Sequence, residues 1–331
     1  MERARAPECA HFASDQSVTI PRRIRAAASR RAVLTAGLAV ALVVIAAIAH
    51  PAAGQGAQNA PILDGIRDTY RSAARGWLPR LIPVAQRLFV VLAGIEFALS
   101  GAVWMLRKEA LDDVAAKFLL KFTLVAFLLT VITSFQYWIT PIVNGFAAAG
   151  ETAIGRSTTV SPSDVIDIGR ENAMVILNSL HLSVFLQDPA MAVYAALCAF
   201  LLVLCFMAIA AQLTLVIIES YIVLGAGVLF LGFSAFRGTA SFAENLIAYA
   251  FHVGVKIFFL YLVVGIGTDL ARSWPALIQN SDLFGSASPF FEVIGGALIF
   301  AILALVVPNT VAGRLAGRTS IGIGHALRAL S

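Results

Sequence analysis

The sequence predicts an all-α, polytopic helical membrane protein with about five or six transmembrane segments, and three observations carry that prediction. Of its 331 residues 59% are hydrophobic and only 13% charged, and the mean hydropathy is +0.85, outside the range of soluble domains. Several apolar runs reach the roughly 20 residues that a helix needs to cross a bilayer. The charge is also uneven: residues 1–31 carry seven Arg against three acids, while the remainder carries 17 basic against 16 acidic residues. The net charge of +5 is therefore mostly an N-terminal leader, and not the basic stripe of a nucleic-acid-binding face.

Residues 1–54 read as that basic leader. Arg30-Arg31 precedes eighteen small or apolar residues, Ala32 to Ala49, ending in Ala47-Ile48-Ala49. This is the pattern of a signal peptide, cleaved or retained as an anchor. Residues 55–83 are polar, broken by Pro61, Pro79 and Pro83, with Arg67, Arg71, Arg75 and Arg80 at helical intervals. A short surface helix leading into the membrane is expected there. A first helical hairpin follows at 84–140, with spans at 84–106 and 118–140, a charged loop from Arg107 to Lys117, and the interfacial aromatics Tyr137-Trp138.

Residues 141–189 interrupt the apolar pattern and read as a periplasmic loop. Inside it, Ser161-Pro162-Ser163-Asp164 is a helix start, with Pro in the first turn and an acid three residues after a Ser. Ile166, Ala173, Leu177, Leu180 and Val184 then share one face, and Asp167, Arg170, Glu171 and Asn178 lie off it. The expectation is an amphipathic helix lying on the membrane or on a partner. Residues 190–311 form a helical membrane bundle. Its first part, Ala190 to Phe236, is too long for one crossing, so two segments are expected with a break near Gln212 and a bend at Gly225 and Gly227. Further spans fall at 247–270 and 290–311, before a C-terminal tail at 312–331. The positive-inside rule favours five crossings, with 213–235 not crossing fully, 141–189 outside and the C-terminus inside.

Catalytic signatures are few. A Walker A loop needs Gly before its Lys, yet Lys108, Lys117, Lys121 and Lys256 follow Arg, Ala, Leu and Val. His11, His50, His181, His252 and His325 show no metal-ligand spacing. Cys198 and Cys205 lie two helical turns apart, about 10 Å, too far for a disulfide, and Cys9 lies in the leader. No enzyme, metal or cofactor is expected.

Ionisable groups inside apolar runs are costly and face protein or water. Glu96 and Lys256 sit near the middle of their spans, Glu219 a third of the way into its segment, and His252 one turn before Lys256. They read either as the polar lining of a conduit or as a Glu96–Lys256 pair fixing helix register, with Glu219 snorkelling to the headgroups. Gly94 and Gly101, Gly225, Gly227 and Gly232, Gly254, Gly265 and Gly267, and Gly295-Gly296 mark small helix faces. Such faces pack within a chain or between copies, so a homo-oligomer is expected.

The stretch Gly94-Ile95-Glu96-Phe97-Ala98-Leu99-Ser100-Gly101 with Trp104, the Ser161-Pro162-Ser163-Asp164-Val165 motif, and Ile218-Glu219-Ser220-Tyr221 through Gly227–Phe233 resemble TrbL-type conjugal transfer proteins. So do Gly254-Val255-Lys256, Leu260 through Gly267, and Val307-Pro308-Asn309-Thr310. The resemblance covers about residues 60–315. It implies an inner-membrane subunit of a type IV secretion system, a channel or scaffold helping to move a DNA–protein substrate. It further implies partnership with other inner-membrane and periplasmic subunits and with separate ATPases, while the near-neutral charge beyond the leader predicts no strong DNA binding by this chain itself. The alternative is a secondary transporter using Glu96, Glu219 or Lys256 as coupling sites, a class in which inverted repeats and paired broken helices are expected.

Overall fold

The computed structural model describes residues 62–107, 111–155, 161–179, 189–279 and 288–316. The leader at 1–54, most of the tail, Leu180, Val184 and four of the histidines, His11, His50, His181 and His325, lie outside the described residues. Among the described residues every regular element is helical. Five helices are long and apolar enough to cross a membrane.

The first, α1, runs from Ile62 to Arg107 as one element of 46 residues, about 69 Å at 1.5 Å per residue. The separate surface helix expected over 55–83 is thus continuous with the first span. Pro79 and Pro83 lie inside it, one turn apart, so their missing N–H bonds fall on one side and the rest of the ladder carries through. Its buried residues, Ala74, Ala85, Phe89, Ala93, Glu96, Ser100 and Trp104, follow the spacing of three and four that makes one helical face. The helix α2, Leu111–Thr133, returns along α1 to complete the hairpin. It is followed by α3, Phe135–Trp138, and α4, Thr140–Ala153. The chain leaves α4 at Gly155, whose φ of 66° is the left-handed conformation that ends many helices.

Then comes α5, Pro162–Asn178, opened by a capping box: Ser161 Oγ accepts from the Ser163 N–H, and the Asp164 carboxylate accepts from the Ser161 N–H. Ser161 Oγ also donates to the Asp64 carboxylate at 2.7 Å, tying the start of α5 to the start of α1. The helix packs one face on the chain's own long apolar helix α6, Pro189–Ala226. Beyond its first turn its buried residues include Val165, Ile168, Gly169, Asn172, Ala173 and Ile176. That face is turned one residue, about 100°, from the expected face through Ile166 and Leu177. A polar residue explains the turn: Asn172 Nδ2 donates to the carbonyl of Ala271 at 3.1 Å, one of the carbonyls left open where a helix ends.

The helix α6 spans 38 residues without a break at Gln212. The break falls at Gly227, beyond which a short α7, Val228–Leu231, and a 3-10 turn, Gly232–Ala235, descend along α1. A side chain at Gly227 would collide with the carbonyl oxygen of Val223 and come 2.8 Å from Leu246, so the direction change is built where no Cβ fits. The return helix α8, Ala240–Ala271, is followed by α9, Trp274–Gln279, and α10, Ser288–Ala316. At the centre of this second bundle Phe206 meets Trp274 edge-on at 6.0 Å and Phe300 at 5.8 Å, geometries favoured by aromatic quadrupoles. Gly169 lies flat against the same ring, since an added Cβ would stand 2.5 Å from the Phe206 Cβ. One aromatic therefore joins α5, α6, α9 and α10.

Candidate functional site: two charged nodes between apolar helices

Within the hairpin, Glu96 from α1 and Lys121 from α2 meet with Nζ to Oε1 at 2.8 Å, and both side chains are 0% exposed. Lys121 also donates to Ser100 Oγ, one turn along α1 from Glu96. The second oxygen of Glu96 accepts from the backbone N–H of Arg237 at 3.2 Å, with the Arg237 guanidinium 4.0 Å away. The ring of Trp104 lies beside the ammonium, its centroid 6.0 Å from Nζ, at the outer reach of a cation–π contact. One carboxylate thus ties α1 to α2 and to the turn between α7 and α8. Each buried charge has a partner of opposite sign and further hydrogen bonds, the condition under which burial is tolerated.

A second node lies between α6 and α8. Glu219 accepts from Lys256 Nζ at 2.8 Å through one oxygen and from the Tyr249 hydroxyl at 2.5 Å through the other. The ring of His252 stacks on that of Tyr249, centroids 6.1 Å apart and 11° from parallel. Tyr249, His252 and Lys256 share one stripe of α8 at the spacing of three and four.

The pairing differs from the Glu96–Lys256 match considered from the sequence: Glu96 takes Lys121, and Lys256 takes Glu219, which is therefore bonded and not simply snorkelling. Lys121 falls inside the expected second span at 118–140 and was not singled out as an intramembrane charge. It lies ten residues into α2, about as far from the hairpin turn as Glu96, eleven residues before Arg107. In an antiparallel hairpin, equal distance from the turn means equal depth, and that symmetry was the available signal. Ser100, Arg237 and Tyr249 also join the nodes without having been singled out. Arg237 enters through its backbone, which no side-chain pattern reveals.

The glycines divide. Gly225 backs onto Ala74, whose Cα and carbonyl oxygen would each stand 2.9 Å from an added Cβ, and Gly232 onto the Ala85 carbonyl oxygen at the same distance. Gly254 faces Phe146 and Gly265 faces Ile154, at 2.5 and 2.6 Å, and Gly267 faces Phe300 closer still. Gly296 lies 3.1 Å from the Trp274 ring. Gly94, Gly101 and Gly295, by contrast, have nothing within 4 Å. Gly94 and Gly101 each follow a buried residue, Ala93 and Ser100. One step along a helix turns about 100°, which carries them off the packed stripe.

Both nodes are matched acid–base pairs, suited to holding helices in register and to presenting polar atoms inside an apolar body. Among the described residues no group of three or more His, Cys, Asp and Glu is placed to hold a metal ion.

The family model described as TrbL/VirB6 plasmid conjugal transfer protein matches residues 93–308, a stretch that includes Glu96, Lys121, Glu219, Arg237 and Lys256 of the two nodes. The chain is 29% identical over 268 residues to a probable conjugal transfer protein TrbL of Sinorhizobium fredii (strain NBRC 101917 / NGR234), covering 80% of this chain and 66% of that protein. It is 27% identical over 277 residues to a conjugal transfer protein TrbL of Rhizobium radiobacter, covering 82% and 67%. The chain therefore spans about two thirds of the length of these curated relatives. With five apolar helices, a hairpin closed on a buried ion pair and a family match running from that hairpin into the last helix, the chain belongs to the TrbL/VirB6 plasmid conjugal transfer protein family.

Proposed function

We propose that this chain is a multi-pass inner-membrane subunit of a type IV secretion, or conjugal transfer, apparatus. In this reading its helices form part of the scaffold or channel through which a DNA–protein substrate crosses the inner membrane. The family match over residues 93–308 is the observation that carries the reading. The chain works beside other inner-membrane and periplasmic subunits, with separate ATPases supplying the energy, and copies of it associate. The two nodes support a structural role, since each carboxylate is held by an ammonium and by a further hydrogen-bond donor.

DNA is passed on and not held tightly, because phosphate contacts by Lys and Arg supply most non-specific affinity and the residues beyond the leader are nearly balanced in charge. Deletion of the gene should abolish conjugation, and a complementing copy should restore it. Full transfer in the deletion strain would overturn the assignment. Purified protein lacking residues 1–54 should bind DNA weakly over a salt series, and tight, steeply salt-dependent binding would overturn the passive path.

A further inference from the structure

A cleft of about 370 Å³ opens where the N-terminal half of α1 meets the end of α6 and the α3–α4 junction. Its polar lining comes from three places: Arg71 and Arg75 of α1, Gln136, Thr140 and Asn144 beyond α2, and Tyr221 of α6. Its floor is apolar, formed where Ala74 and Gly225 touch.

The arginines of α1 are not equivalent. Arg67 is bound to Asp64 at 3.2 Å and to Asp68 at 3.1 Å. Arg71 and Arg75, one and two turns further on, have no carboxylate partner among the described residues, and both are exposed at the cleft. Two free guanidinium groups one turn apart, together with amide and hydroxyl groups from two other elements, make a site for a phosphate ester. Guanidinium binds phosphate oxygens in a bidentate fashion.

The depth of the cleft selects the source of that phosphate. Gln136 and Thr140 bracket Tyr137 and Trp138, which are 74% and 50% exposed, and such aromatics mark the headgroup level of a membrane. On α1 the arginines run on through Arg80 and Arg87, and the unbroken apolar run starts at Leu88. The exposed aromatic pair beside Gln136 and Thr140 therefore sets the cleft at headgroup level. The volume suits a lipid headgroup, within the roughly 300–1,000 Å³ of small-molecule sites.

We propose that this cleft binds the headgroup of an anionic phospholipid, with Arg71 and Arg75 on the phosphate and the Gln136, Thr140, Asn144 and Tyr221 side chains on its ester and hydroxyl oxygens. Arg71 and Arg75 lie before the family match over 93–308, whereas Gln136, Thr140, Asn144 and Tyr221 lie inside it, and the proposal does not depend on the transfer function proposed above.

The test is a titration of the full chain in detergent with dioctanoyl-phosphatidylglycerol, dioctanoyl-phosphatidylcholine and inorganic phosphate. The anionic lipid should bind about thirtyfold more tightly than the zwitterionic one, the sum of about 1 kcal/mol from each of the two basic groups. That preference should disappear in Arg71→Gln/Arg75→Gln and persist in Arg314→Gln, an exposed residue on α10. Equal binding of the two lipids by the unaltered chain would overturn the proposal whether or not the double variant folds. A preference that survives in the double variant would overturn it too. Inorganic phosphate binding as tightly as phosphatidylglycerol would replace the lipid with a soluble anion.

Discussion

Lys121 and Glu96 face each other with both side chains fully buried, so loss of either strands the other. A buried charge deprived of its partner costs about 3–5 kcal/mol, whereas an apolar or neutral replacement of both is often tolerated. Lys121→Met should therefore lower the amount of folded protein and its unfolding temperature in detergent, and Glu96→Gln added to it should recover much of the loss. Glu96→Gln combined with Lys256→Met should show no such recovery, because Lys256 belongs to Glu219. Rescue in that second combination, and none in the first, would contradict the observed pairing. The sequence marks Glu96, Glu219 and Lys256 as buried charges because ionisable groups in apolar runs have few places to go. It does not state which two meet, since depth along a helix leaves the direction around its axis open.

The helices themselves were legible because long apolar runs leave the backbone only internal hydrogen bonds. Their breaks were less so. Gln212 does not interrupt α6, since a polar side chain leaves the N–H to carbonyl ladder of a helix intact. Gly227 does, at a point where a Cβ would strike Val223 and Leu246. The orientation of α5 was misread because Asn172 counts as polar in a pattern, yet is buried to serve the Ala271 carbonyl. The glycines make this scale testable. Gly225→Leu forces atoms into the Ala74 backbone at 2.9 Å, and overpacking of that kind costs about 1–3 kcal/mol. Gly94→Leu enters open space and should change monomer stability by less than about 0.5 kcal/mol. Thermal unfolding of the two variants in detergent checks the contrast. Equal destabilisation would mean that Gly94 packs against something beyond this single chain.

For the molecule as a whole, the order of the five apolar helices constrains which ends share a side of the membrane. Between Ser161 and the C-terminus lie α6, α8 and α10, all long enough to cross, and three crossings place these two points on opposite sides. Ser161 is held to Asp64, as it must be if α1 and α2 cross as a hairpin and return the chain to the side where α1 began. Charge then gives the direction. On this order the turn after α1, the turn between α7 and α8 and the tail share one side, and with the helix ends beside them they hold Arg107, Lys108, Lys117, Arg237, Arg314, Arg318 and Arg328. Lys121 leaves this count because it is buried against Glu96. Applied to these turns and the tail, the positive-inside rule predicts a cytoplasmic side there, while Arg67, Arg71, Arg75, Arg80 and Arg87 of α1, with Arg156, Arg170 and Arg272, weigh against it. Alkaline phosphatase fused near Ser161 should be active, and fluorescent protein fused after Ser331 should fold and glow. Both points on one side would mean that α6, α8 or α10 does not cross. Opposite sides in reversed order would mean that the arginines of α1 outweigh those of the turns and tail in setting the orientation.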